Sequence, residues 1–83
     1  MTRLTKGQLV RLRLAGTSDE WARGAVILAS GGNPQSVGLM VEGMVRSAGG
    51  AWVGGGLPLM VDYDAETVTS LIGDEYELEI EAA

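Results

Sequence analysis

The sequence predicts an all-β protein: a small closed antiparallel barrel of six or seven short strands, with the first and last strands side by side. Three observations predict it. Apolar residues recur with period 2 through most of the chain, glycines interrupt it too often for a long helix, and the two most regular strands carry opposite charges on their polar faces. At 83 residues a single domain is expected, burying roughly 60% of its unfolded surface.

Taken in order, residues 1–6 show no pattern and are expected to fray. In residues 9–14, Val10, Leu12 and Leu14 point to one side while Arg11 and Arg13 point to the other. Thr17-Ser18-Asp19-Glu20-Trp21 has the spacing of a capping box, which predicts one helical turn and places Trp21 in the core. Strands over 23–30 and 36–42 follow, joined by a four-residue loop at Gly31, Gly32, Asn33 and Pro34. That loop pairs Leu28 with Val37, Val26 with Leu39 and Gly24 with Val41. Residues 44–48 and 51–54 form a short hairpin across Gly49 and Gly50.

From Leu57 onward the register is constrained, because cross-strand partners share a face. A three-residue loop at Asp64, Ala65 and Glu66 pairs Tyr63 with Thr67, Val61 with Thr69 and Leu59 with Leu71. A Gly73–Asp74 turn then pairs Leu71 with Tyr76, Thr69 with Leu78 and Thr67 with Ile80. A helix over 65–72, capped by Asp64, is the alternative, and the β-branched run Thr67-Val68-Thr69 favours the strand. In residues 75–81, Tyr76, Leu78 and Ile80 face inward and Glu75, Glu77, Glu79 and Glu81 outward. Four like charges on one face call for arginines opposite, and Arg11 and Arg13 meet that need, so the first strand is placed beside the last.

Composition limits the chemistry. The chain has no His and no Cys. The usual zinc, haem and iron–sulfur ligands, a histidine shuttle and a cysteine nucleophile are therefore missing, and neither a cofactor nor catalysis is expected. No apolar run approaches the ~20 residues of a membrane helix. No secretory signal is visible, so the expectation is a cytoplasmic protein without membrane contact. The charge is uneven: residues 1–46 hold all six bases and net +3, whereas residues 47–83 hold no base and net −8. The two halves are expected to pair with each other.

Two sets of candidate residues emerge. For contact with a partner protein or a second copy, the set is Trp52 in its glycine-rich loop with Gly54 and Gly55, plus Met60, Val68 and Ile72 on the outer face of the meander. Trp52 is equally readable as a lid over one barrel end. The outer face could instead be covered by the chain's own strands. For nucleic acid or an anionic ligand, the alternative set is Arg3, Lys6, Arg11, Arg13, Arg23 and Arg46. The overall charge of −5 and only four aromatic residues weigh against it.

Two further motifs have structural readings. Asp62-x-Asp64-x-Glu66 begins like a calcium loop, yet Thr67 stands where that loop needs glycine and Gly73 where it needs glutamate, so a turn is expected. Gly54-Gly55-Gly56 lacks the Lys-Ser or Lys-Thr of a phosphate-binding loop.

Leu59-Met60-Val61-Asp62-Tyr63-Asp64-Ala65 resembles the Ala-Leu-Tyr-Asp-Tyr segment that opens Src-homology-3 domains, and a barrel of that or a related type is the expected fold. The resemblance covers seven residues. It departs at the first aromatic, and the paired tryptophans and Pro-x-x-Tyr ending of that family do not follow.

Overall fold

Six strands form in a computed structural model of the chain: β1 (Leu9–Leu14), β2 (Ala22–Ala29), β3 (Gln35–Arg46), β4 (Trp52–Asp62), β5 (Thr67–Ser70) and β6 (Glu75–Ile80). The structure describes residues 2–47, 49–50 and 52–81, with backbone alone at 52 and 53. Each strand pairs antiparallel with the next, and β6 returns to β1 to close a barrel.

Period-2 alternation sends every second side chain inside. Val10 and Leu12 from β1, Val37, Leu39, Val41 and Val45 from β3, Leu57, Leu59 and Val61 from β4, with Val26, Val68 and Tyr76, form one buried cluster. Burial of each such side chain stabilises the fold by about 1.5–3 kcal/mol.

The first and last strands are adjacent, with Arg11 opposite Glu79 and Arg13 opposite Glu77. The β2–β3 hairpin pairs Val26 with Leu39 and Gly24 with Val41. Leu28, however, lies opposite Gly38, because the register shifts between Val26 and Leu28 and turns Leu28 outward. The short hairpin around Gly49 and Gly50 is the distal end of one long β3–β4 ribbon, where Val45 faces Val53 and Arg46 faces Trp52. On β3, Glu42 and Gly43 are the extra residues between Val41, opposite Gly55, and Met44, opposite Gly54. Gly43 and Gly55 have positive φ there, and a Cβ on Gly54 would meet the Gly43 carbonyl oxygen at 2.8 Å. The glycines are required by this bulge.

Three expectations are corrected. The meander register is one residue off: Asp62 pairs with Thr67 and Val61 with Val68, so Val68 points inward and Thr67 and Thr69 are half-buried. The cause is a four-residue loop, in which Asp62 Oδ1 accepts hydrogen bonds from the backbone N–H of Asp64 (3.0 Å) and Ala65 (3.0 Å) and Glu66 adopts a φ of 56°. Residues 71–74 then lie in the β5–β6 turn, which exposes Leu71 and Ile72 rather than pairing Leu71 inside. No helix forms at 17–21.

The N-terminal segment is packed rather than frayed at Leu4, which is 1% exposed and plugs one end of the barrel. A polar knot holds it. The Leu4 N–H donates to Tyr63 Oη at 2.8 Å, and the Tyr63 hydroxyl donates to Gln35 Oε1. Buried Gln35 in turn donates through Nε2 to the carbonyls of Ser30 (2.7 Å) and Leu4 (3.2 Å). Tyr63, in the segment that resembles Src-homology-3 domains, thereby serves the barrel end.

Candidate functional site

The outer face of β1 and β6 is a ladder of opposite charges. Arg11 Nη2 lies 2.5 Å from Glu79 Oε2, and Arg13 Nε lies 2.6 Å from Glu77 Oε2. Arg23, one strand away on β2, reaches Glu81 at 2.5 Å. The hydrogen bond from Glu81, and then its charge, hold the Arg23 guanidinium above its ordinary pKa. Trp21 lies against this ladder instead of entering the core: its ring centroid is 4.2 Å from the Arg13 guanidinium carbon and 4.9 Å from that of Arg11. Attraction between guanidinium and the aromatic ring's negative face holds it there.

The remaining basic residues are also engaged. Arg3 stacks on Tyr63 at 4.8 Å and donates to the Gly32 carbonyl at 2.7 Å. Arg46 Nη1 lies 3.6 Å from Asp19 Oδ1. Of the six residues in the nucleic-acid set only Lys6 is exposed without an ion pair or hydrogen bond to another described residue. Glu77, Glu79 and Glu81 thus match three of the arginines, which leaves little free positive charge for a phosphate backbone.

The partner-contact set does not share one surface. The Trp52 side chain lies outside the described residues. Gly54 and Gly55 lie on β4 opposite the β3 bulge, Met60 is half-buried opposite Ser36 and Thr69, and Ile72 is 79% exposed at a turn. Val68, at 2%, belongs to the core and is removed from the outer face.

A different apolar surface occupies the outside of β1, β2 and β3. Leu9, Ala25, Met40 and Gly56 stand in one cross-strand row, with Ile27 and Leu28 further along β2. Leu9 and Met40 are half exposed and Leu28 two-thirds exposed. The row opens into a shallow depression of about 290 Å³ whose rim carries Arg23, Glu42 and Glu81. The sequence signal for it was the apolar identity of Leu9 and Met40 at positions alternating with inward residues. Such runs are hard to distinguish from core strands before the register is known.

A second concavity, of about 530 Å³, lies between the β1–β2 connection and the distal part of β3. Its walls include Leu14, Trp21, Met44 and Val45, and its polar groups include Asp19, Glu20, Glu42 and Arg46.

Tyr76 spans the barrel from β6, its hydroxyl donating to the Arg46 carbonyl at 3.3 Å. Burial first, and then the charge of Asp74, push its hydroxyl above the ordinary tyrosine pKa. Among the described residues no cluster of three His, Cys, Asp or Glu is placed to hold a metal ion. No helix of the described residues is long and apolar enough to cross a membrane. No family model, curated protein or solved structure matches this chain.

Proposed function

We propose that this barrel is a non-catalytic module for protein–protein interaction or self-assembly. The observation that carries the reading is the exposed apolar row on β1–β3, Leu9, Ala25 and Met40 with Ile27 and Leu28 beside it. Contiguous apolar surface on a small soluble domain is costly in water and marks a contact face. Its rim of charged residues matches the usual arrangement of an apolar interface centre bordered by polar groups.

Light scattering over a hundredfold concentration range tests the self-assembly form. The expected result is a mass rising above the 8.7 kDa of one chain, and returning to that value in Met40→Glu with an unchanged melting temperature. A monomer throughout refutes self-assembly. The partner form then requires that wild-type bait retain a protein that Met40→Glu bait loses, and equal retention by both refutes it.

A further inference from the structure

We propose that the groove between the β1–β2 connection and the distal part of β3 receives a Lys or Arg side chain from an apolar-flanked basic segment of a partner protein. The proposal rests on the reading of a protein-binding module but uses a surface separate from the Leu9–Met40 row.

Charge balance is the first argument. Three arginines line the groove, but Glu77 and Glu81 already neutralise Arg13 and Arg23, so that Asp19, Glu20 and Glu42 stand against Arg46 alone. Glu20 and Glu42 remain, both exposed and without an ion pair to another described residue. Glu42 is close enough to Arg23 to raise its pKa slightly, yet Glu81 holds that guanidinium. The groove therefore carries a surplus of negative charge that suits a cation.

The second argument is Asp19. A carboxylate offers about four acceptor sites. Asp19 Oδ1 has only Arg46 at 3.6 Å, beyond hydrogen-bond length, and Oδ2 is buried with no partner. It is the one buried side-chain polar atom among the described residues left unsatisfied. An incoming ammonium or guanidinium could meet Oδ1 directly and supply the charge-assisted hydrogen bond that Arg46, at 3.6 Å, does not.

The third argument is the walls. Trp21 and Met44 line the same groove as Asp19, and Met44 is 57% exposed. Lys and Arg present apolar stems that such walls cover while the charged head reaches Asp19.

The test uses the full chain labelled with ¹⁵N and two acetylated, amidated pentapeptides, Ala-Leu-Arg-Leu-Ala and the same peptide with uncharged citrulline for arginine. The arginine peptide is expected to shift the Trp21 indole N–H and the amides of Asp19 and Met44, and to bind about tenfold or more tightly than the citrulline peptide. Asp19→Asn should weaken it by a similar factor. Because Asp19 also faces Arg46, the exposed pair Glu20→Gln and Glu42→Gln provides a second variant, expected to weaken binding several-fold without changing the melting temperature. Equal binding of the two peptides, undiminished binding by both variants, or no shift of these groove signals at millimolar peptide overturns the proposal. A loss of self-assembly in Met40→Glu would still stand in that event, so failure of the groove is distinguishable from failure of the module reading.

Discussion

Along the β1–β6 seam five residue pairs are in register, and arginine–glutamate pairs cover its outer side, whereas only two residue pairs join β5 to β6. Both seams bury apolar side chains: Val10 and Leu12 with half-buried Leu78 at the first, Val68 opposite Tyr76 at the second. The short seam adds a side-chain tie, from the Tyr76 hydroxyl to the Arg46 carbonyl across the barrel. Exposed ion pairs contribute about 0.2–1 kcal/mol each, less than one buried leucine. The comparison teaches that the interior holds the barrel closed on both sides, while the outer ladder chiefly selects which strands become neighbours.

The largest expected effect tests that shared interior. Leu12→Ala in β1 and Leu59→Ala in β4 remove side chains that are fully buried. Each should cost about 2–5 kcal/mol, a large part of the stability of a small domain. Urea unfolding measures both. A cost below about 1 kcal/mol for Leu59→Ala alone would show the β4–β5 side of the barrel to be loosely packed.

The same two regions differ in how far the sequence discloses them. At β1–β6 the charges are specific: arginines on one strand and glutamates on the other single out the two strands as neighbours, and the structure joins them, with Arg11 opposite Glu79 and Arg13 opposite Glu77. At the meander, loop length alone decides the register, and a three-residue and a four-residue loop both leave plausible faces. The Asp62 side chain settles it by bonding the amides of Asp64 and Ala65, and one residue of slip exchanges Val68 for Thr67 and Thr69. Val and Thr are both β-branched, so strand propensity did not discriminate between them. The candidate groove was less visible still. Asp19 and Arg46 are remote in sequence and meet only through the barrel, and Trp21 leaves the expected core because two guanidinium groups on β1 attract it. Burial of Leu4 depends on Tyr63 and Gln35, neither of which signals an N-terminal plug by its type.

A middle-sized effect sharpens the role of the ladder. Glu77→Lys with Glu79→Lys removes two ion pairs and sets like charges opposite Arg13 and Arg11. The loss should be about 1–2 kcal/mol in low salt and smaller in high salt. Adding Arg11→Glu and Arg13→Glu should restore part of it. Restoration stays incomplete because the same arginines hold Trp21. Equal stability of the wild type and the double variant would show the outer face to be irrelevant to strand choice.

The smallest effect isolates the tie that runs from β6, at the short seam, across the barrel to β3. Tyr76→Phe keeps the buried ring and deletes the hydroxyl that donates to the Arg46 carbonyl, at a cost of about 1 kcal/mol near neutrality. Its pH dependence has a definite sign. Burial, then Asp74, raises the Tyr76 pKa in the folded protein, so the folded state holds this proton more tightly than the unfolded chain does. The resulting stabilisation is fully present below the unfolded tyrosine value of about 10 and is lost as pH rises through the higher folded value. Tyr76→Phe should therefore lose stability less steeply than the wild type above about pH 10. Parallel alkaline curves would show that the Tyr76 hydroxyl is as free to ionise in the barrel as in the unfolded chain, and the short seam would then rest on its two residue pairs and apolar contacts alone.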